Sequence, residues 1–189
     1  MCQRVVHELQ HGSERSKERT LADVRNITKR PEYMPTEWRD LCGKVFFSCY
    51  MGSRYSGEET RERARKLAEE IGGVHTSILI DGVTDAVQQT FRDVKLHCDG
   101  SGRVQRDTMR LDPVMNGSPT ENLALQNIQA RSRMVMAYYM AKLLPWSTDN
   151  GETTYGGDLL VLGSANVDEA LRGYYTKCAR APTLHLVCL

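Results

Sequence analysis

The sequence predicts an α/β fold in which helices flank a parallel β-sheet. A strand, a helix and a second strand follow one another at short spacing between residues 44 and 80, which indicates a βαβ unit. Residues 158–163 form a continuous apolar run, which is typical of a strand that is buried on both faces. A long helical pattern lies between these two regions, as expected for alternating strands and helices.

The first strand is predicted at residues 44–49, and a polar turn at 52–55 follows it. The next helix is predicted to begin at a capping box made by Ser56 and Glu59. It is predicted to end at Gly72 and Gly73. Its predicted buried stripe recurs at helical spacing and consists of Ala64, Leu67, Ala68 and Ile71.

The second strand is predicted at residues 76–80, and a helix is predicted to begin near Asp81. The longest helix is predicted from an N-cap at Ser118, with Pro119 in the first position and Glu121 completing a capping box. Pro145 is predicted to end it. Its predicted apolar positions are Leu125, Ile128, Val135, Tyr139 and Leu143.

The composition excludes several classes of protein. The chain has 189 residues, and 25 Lys+Arg against 24 Asp+Glu leave a net charge of +1, so we expect no nucleic-acid partner. No apolar run is long enough to cross a membrane, and the polar N-terminus predicts no secretory signal. The six cysteines form no C-x-x-C pair, which disfavours a zinc site and predicts reduced thiols in a cytoplasmic protein.

Three segments are expected at the carboxyl edge of the sheet, where α/β proteins bind ligands: residues 50–55, the turn after Ile80, and residues 164–169. In the first, Ser53 and Arg54 are candidates for nucleotide contact, and the alternative is a plain surface turn. In the third, the Ser164 hydroxyl could contact a nucleotide and Glu169 could hold Mg²⁺ at its phosphates. The alternative there is a capping box in which Glu169 serves only the helix.

The long helix carries two further candidates. Asn127 and Arg131 are four residues apart and share one face, so Arg131 could clamp a phosphate or a carboxylate. The alternative is a solvated helix face. Arg133 lies on a different side and is expected at the surface. Lys177 is either a substrate contact or an exposed lysine.

Several stretches together resemble the synthetase domain of glutamine-dependent NAD synthetases. Residues 121–134, ENLALQNIQARSRM, resemble the central helix of that family. Residues 160–169, LVLGSANVDE, with GYYTK at 173–177, resemble its nucleotide and metal motif. RDLCG at 39–43 and CYM at 49–51 resemble its eukaryotic branch. The similarity runs from about Leu21 to Lys177. We predict a partial synthetase domain at residues 1–177 and a tail at 178–189 that does not match.

The resemblance implies a Rossmann-like fold of the adenine-nucleotide alpha-hydrolase type and a two-step ligase reaction. ATP would adenylate the nicotinate carboxylate of deamido-NAD, and ammonia, released from glutamine by a glutaminase domain, would then give NAD and AMP. By the same resemblance Ser164 contacts ATP and Glu169 binds Mg²⁺, while Arg131 and Lys177 contact deamido-NAD. Asn127 is added from its place one turn before Arg131. The resemblance also implies a homo-oligomer in the complete enzyme.

The sequence departs from the family at both ends. The family's S-G-G-x-D-S phosphate loop is not found, and the glutaminase domain is not in this sequence. The fold is therefore expected to be incomplete, with an open sheet edge where the family's first strand belongs, and the chain is expected to be inactive alone. The alternative is a non-catalytic remnant or an interaction module. The helix with Arg131 and the motif from Ser164 to Lys177 disfavour the related GMP and asparagine synthetases.

Overall fold

The computed structural model describes residues 1–92, 94, 113, 116–148, 159–163, 171 and 183–188. These residues form six helices and four strands. In chain order they are α1 Cys2–His11, α2 Glu14–Thr28, α3 Trp38–Val45, β1 Phe46–Gly52, α4 Glu58–Ile71, β2 Val74–Leu79, α5 Asp81–Arg92, α6 Pro119–Thr148, β3 Leu159–Leu162 and β4 Thr183–Cys188. No helix within these ranges is long and apolar enough to cross a membrane.

The four strands form one sheet in the order β2-β1-β4-β3. Strands β1 and β2 are parallel, from Phe47 opposite Val74 to Gly52 opposite Leu79, and the predicted βαβ unit is confirmed. Strand β4 runs antiparallel to both β1 and β3, so the sheet is mixed at this point. Strand β4 from the C-terminal tail thus gives β1 a partner on both sides, and the open edge expected where the family's first strand belongs stays a prediction.

The start of the βαβ unit differs from the prediction in two details. Helix α3 continues to Val45, so β1 begins at Phe46 rather than at residue 44 and extends to Gly52. The capping box of Ser56 and Glu59 is wrong, since α4 begins after an N-cap at Gly57 that makes no side-chain hydrogen bond. The Ser56 hydroxyl instead accepts a hydrogen bond from the Ser53 backbone at 2.9 Å, which stabilises the preceding turn.

Helix α4 ends where the sequence predicts. Gly72 follows it in the left-handed conformation with a φ of 73°, and a Cβ at this residue would lie 2.9 Å from Cβ of Arg39. Both the conformation and the close approach to α3 therefore require glycine.

Helix α6 begins with the predicted capping box. The Ser118 backbone N–H donates to Glu121 Oε2 at 2.7 Å, and the Glu121 N–H donates back to Ser118 Oγ at 3.3 Å. The predicted end at Pro145 is wrong, since the helix continues to Thr148. Proline removes one backbone donor from a helix, and α6 continues past that lost hydrogen bond for about one further turn.

The face of α6 that packs on the sheet is lined by alanines. Ala137 lies in a buried cluster with Cys49 and Met51, and Ala141 packs with Phe47 and Leu159. Small side chains allow the helix to approach the strands closely. The predicted apolar face is wrong in its second half, because Val135 is 62% exposed, Tyr139 68% exposed and Leu143 also exposed.

Strand β3 is covered on one face only, so the prediction that it is buried on both faces is wrong. Leu159 is buried and Val161 packs against the α6 clusters. Leu160 and Leu162 point to the opposite face and are 42% and 38% exposed. Among the described elements no helix packs over this part of that face, and β3 ends the sheet.

A separate small core joins the first three helices. Val6 of α1, Val24 of α2 and Leu41 of α3 are buried against one another. Val6 and Val24 thus have a common partner in α3, and α3 leads directly into β1.

Candidate functional site

The carboxyl ends of β1 and β2 lie side by side, as expected for a parallel pair. The Ile80 N–H donates to the Gly52 carbonyl at 2.9 Å, which extends the pairing of the strands into the two turns that follow. Ser53, the first residue after β1, is buried. Its hydroxyl accepts a weak hydrogen bond from the Tyr55 N–H at 3.4 Å, so this side chain also shapes its own turn.

The two turns are joined by charged groups. The Arg54 backbone N–H donates to Asp81 Oδ2 at 2.8 Å, and Arg54 Nε donates to Asp81 Oδ1 at 2.9 Å. Arg54 Nη2 lies 2.5 Å from Oδ2 of Asp85, one turn further along α5. Hydrogen bonds to Asp81 and then Asp85 raise the pKa of Arg54. Two carboxylates therefore engage this guanidinium, and its contact with a nucleotide stays a prediction.

Arg133 lies at the same edge, contrary to the prediction that it would be at the surface. Its side chain is only 9% exposed, and its Nε donates to the Met51 carbonyl at 3.0 Å. Burial lowers the pKa of Arg133, and the nearby Tyr50 and Asp81 partly oppose this effect. The physical reason for the burial is the alanine face of α6, because position 133 lies three residues after Ala130 and four before Ala137.

The candidates predicted on α6 lie elsewhere on the helix. Asn127 is partly buried and Arg131 is exposed. Neither side chain makes a hydrogen bond or an ion pair with another described residue. Their proposed contact with deamido-NAD stays a prediction. Ser164, Glu169 and Lys177 lie outside the described residues, and so does the alternative capping box at Glu169.

The described residues alone do not provide a ligand set for Mg²⁺. No group of three or more His, Cys, Asp or Glu side chains in the described ranges is arranged to hold a metal ion. The carboxylates at this edge, Asp81 and Asp85, both pair with Arg54. A magnesium site would need a further oxygen ligand, and Glu169 is the residue predicted to supply it.

A second polar group lies away from this edge, on the face of β1 and β2 that α4 covers. Ser48 Oγ lies 2.8 Å from His75 Nδ1, and His75 Nε2 lies 3.3 Å from Ser77 Oγ. Burial lowers the pKa of His75, Arg65 adds to the effect and Glu69 opposes it. Within the described residues no carboxylate hydrogen-bonds to this histidine, so the group reads as a structural tie between the two strands.

The same face holds a cavity of about 350 Å³ between β1 and α4. Its walls are mostly apolar and include Phe46, Ala64, Leu67 and Ile71, and Ser48 also lines it. The cavity lies beside the amino-terminal half of β1. It is therefore separate from the turn at Ser53 and from Arg133.

Sequence reasoning missed three residues of the candidate site, which are Asp81, Asp85 and Arg133. A signal existed for each. Asp81 directly follows a strand, and Asp85 is four residues later on the same helix face. The spacing of Ala130, Ala137 and Ala141 marks an inward face that includes position 133. Large apolar residues on the other side of α6 obscured that pattern.

The geometry defines an α/β protein with a charged candidate site at the carboxyl edge of its sheet. The NAD synthase family model matches residues 39–180, and the chain belongs to that family. It is 46% identical over 177 residues to the glutamine-dependent NAD(+) synthetase of Homo sapiens, 43% over 178 to that of Saccharomyces cerevisiae, and 41% over 178 to that of Dictyostelium discoideum. Each alignment covers 94% of this chain and 22% of the relative, so the chain spans about a fifth of their length.

Proposed function

We propose that this chain carries part of the ATP and deamido-NAD site of a glutamine-dependent NAD synthetase. The observation that carries the proposal is the match to the NAD synthase family over residues 39–180, which spans β1, β2, α6 and β3. The structure supports it by bringing the turn after β1, the start of α5 and the middle of α6 to one edge of the sheet.

In the proposed reaction, a carboxylate oxygen of deamido-NAD attacks the α-phosphorus of ATP and pyrophosphate leaves. Ammonia then attacks the acyl carbon of the adenylate, AMP leaves, and NAD and a proton are released. Arg131 and Lys177, with Asn127, would hold deamido-NAD. Ser164, with the turn of Ser53 and Arg54, would contact ATP. Mg²⁺ held through Glu169 would offset negative charge on the phosphates.

The remaining partners follow from the same proposal. Ammonia would come from glutamine through a glutaminase domain, and the enzyme would work in the cytoplasm, with no nucleic acid and no membrane as partner. We further propose that the complete enzyme is a homo-oligomer. The apolar side of α6 that faces solvent here, with Val135, Tyr138 and Tyr139 more than half exposed, supports this, because exposed apolar surface of that kind is typical of contact faces.

The second candidate function is that of a non-catalytic remnant or interaction module. The observation that favours it is the same exposed face of α6 together with the exposed Leu160 and Leu162 of β3. A segment exchange separates the two functions. Residues 39–177 would replace the matching segment in a complete relative, and NAD formation from deamido-NAD, ATP and glutamine would be measured. A competent segment supports turnover, whereas a remnant leaves a folded but inactive chimera.

A mutation tests the assignment of Arg131 as a contact of deamido-NAD. In the active chimera, Arg131→Ala should raise KM for deamido-NAD by about 10-fold or more, because a charge-assisted hydrogen bond is lost. KM for ATP should change little. The matched control is Arg63→Ala, which removes an exposed arginine of α4 within the exchanged segment. An unchanged KM for deamido-NAD in Arg131→Ala would refute the assignment.

The chain alone should not make NAD from ATP, deamido-NAD and ammonium. The chain spans 22% of the length of its relatives, and the family's S-G-G-x-D-S phosphate loop is not found in it. Hydrogen-bond donors that hold the leaving pyrophosphate supply much of the stabilisation of a phosphoryl transition state. The measurement is NAD formation by purified residues 1–189 at saturating substrates. Sustained multiple turnover by this chain would contradict the expectation.

A further inference from the structure

We propose that Arg133 is an anchor for a phosphate group at the carboxyl edge of the sheet. The side chain is nine-tenths buried, and its Nε donates to the Met51 carbonyl at 3.0 Å. Within the described part of the chain, this is the guanidinium's one hydrogen bond, and no carboxylate forms an ion pair with it. The two terminal nitrogens therefore hold donors with no acceptor among the described residues.

A buried guanidinium in this state is unfavourable without an anion. Arginine stays protonated in proteins, so it cannot escape burial by losing its charge. Removing a charge from water is costly unless a counter-charge and hydrogen bonds replace the solvent. A phosphate offers two oxygens at the spacing of the guanidinium fork, and this makes it a suitable partner for the free donors.

The neighbouring carboxylates do not fill this role. Asp81 places one oxygen on the Arg54 backbone N–H and the other on Arg54 Nε. Asp85 pairs with Arg54 Nη2. Asp81 is close enough to act on Arg133 through space, but it makes no ion pair with it. The negative charge at this edge is thus directed to Arg54, and Arg133 keeps its positive charge available.

The position of Arg133 suits a ligand rather than a purely structural tie. Met51 is the second-last residue of β1, so its carbonyl lies at the carboxyl end of the strand, directly before the turn at Ser53. The Nε hydrogen bond fixes the guanidinium against this end. The hydrogen bond to the backbone uses one of the five guanidinium donors and leaves four. The side chain is therefore held in position and can still bind an anion.

The choice of phosphate rests on the proposed function, since ATP and deamido-NAD both carry phosphate groups. The shared chemistry is a phosphate oxyanion bound bidentately by arginine. Binding of ATP that depends on Arg133 would assign the group to ATP. Binding of deamido-NAD that depends on Arg133 would assign it to the dinucleotide.

The test measures binding of inorganic pyrophosphate to the full chain by titration calorimetry. Arg133→Met removes the charge with similar bulk, Arg133→Lys retains charge without the fork, and Arg19→Met on exposed α2 is the matched control. We expect Arg133→Met to weaken binding by about 10-fold or more and Arg133→Lys to weaken it less. Arg19→Met should bind as the unaltered chain does. Equal affinity in folded Arg133→Met, or no binding by the unaltered chain, overturns the proposal.

A second measurement keeps the proposal testable if Arg133→Met does not fold. Arginine side-chain Nε–H resonances of the unaltered chain are followed by NMR as pyrophosphate, ATP or deamido-NAD is added, and the spectrum of Arg133→Lys identifies the Arg133 signal. A shift of that signal with saturation supports the site, and an unchanged signal overturns it. The outcome is independent of the segment exchange: an inactive chimera with intact pyrophosphate binding refutes the synthetase function and leaves the anion site standing.

Discussion

Arg54 and Asp81 join the two turns at the carboxyl edge through a pair of hydrogen bonds. The backbone N–H of Arg54 and its Nε donate to the two different oxygens of the same carboxylate, at 2.8 and 2.9 Å. The residues are 27 positions apart in sequence, so this contact joins the two turns at the carboxyl end of the βαβ unit. Asp81 also occupies the first turn of α5, where a negative charge is favourable.

Asp81→Ala should destabilise the fold and loosen the turn after β1. The loss of the hydrogen bond to the Arg54 backbone alone should lower the free energy of unfolding by about 1 kcal/mol. The measurement is urea unfolding of the full chain. Asp85→Ala is the matched control, because it removes a carboxylate from the same arginine but no backbone hydrogen bond, and it should have a smaller effect. Equal losses of stability in the two variants would show that the hydrogen bond to the Arg54 backbone does not account for the effect of Asp81→Ala.

Ala137→Leu should destabilise the chain much more than a similar change on the outer side of α6. Ala137 is fully buried against Cys49, Met51 and Ile80 and has no room for three more carbon atoms, so the helix must move away from the sheet. Overpacking of this kind costs about 1–3 kcal/mol. Val135→Leu, at a largely exposed position, should change stability by no more than about 0.5 kcal/mol. Denaturant unfolding compares the two, and similar losses would contradict the assigned packing face.

The sequence was sufficient for the βαβ unit because its signals are local. The strand at β2, the stop at Gly72 and the cap at Ser118 each depend on neighbouring residues. The orientation of α6 was harder, because apolar residues occur on both of its sides and only contact with the sheet selects the alanine side. Strand β4 was missed for a related reason, since its pairing with β1 joins residues that are far apart in the chain.

The candidate site could also be predicted only in part. The turns that hold Ser53, Arg54 and Asp81 were expected at one edge, because carboxyl ends of parallel strands meet there. Which charge pairs with which could not be predicted, since the Arg54–Asp81 contact depends on the angle between a turn and a helix. The sequence predicts Arg133 at the surface because it lies on a different side of the helix from Asn127 and Arg131. Its burial follows from the helix orientation that the sequence left ambiguous.

The pH dependence of stability should report on His75. Its pKa is lowered in the folded chain, mainly by burial, so the folded state takes up a proton less readily than the unfolded one. This contribution to stability is present above the unfolded pKa of about 6.5 and is lost as the pH falls through the lower folded value. The free energy of unfolding should therefore fall more between pH 7.5 and pH 5.5 in the unaltered chain than in His75→Gln.

The control for this measurement is His7→Gln, which removes a histidine from exposed α1. Because His75→Gln also changes the contact with Ser48, its stability at pH 7.5 is expected to differ, and the comparison uses the change with pH rather than the absolute value. The same change with pH in His75→Gln and in the unaltered chain would exclude His75 as its source.

Glu169 is the residue at which a metal ligand and a helix cap make opposite predictions. In a capping box glutamine replaces glutamate well, so Glu169→Gln would change little if the residue only served the helix. As a ligand of Mg²⁺ it supplies a charged oxygen that a hard cation prefers, and the amide is a poorer substitute. In an active complete synthetase that carries this segment, we expect Glu169→Gln to lower kcat by about 100-fold or more, which corresponds to about 2.7 kcal/mol of transition-state stabilisation.

Glu121→Gln is the matched control, because Glu121 caps α6 through the Ser118 N–H at 2.7 Å and should tolerate the change in both activity and melting temperature. Activity of Glu169→Gln within a few-fold of the unaltered enzyme at saturating Mg²⁺ would assign the residue to the cap and remove it from the metal site.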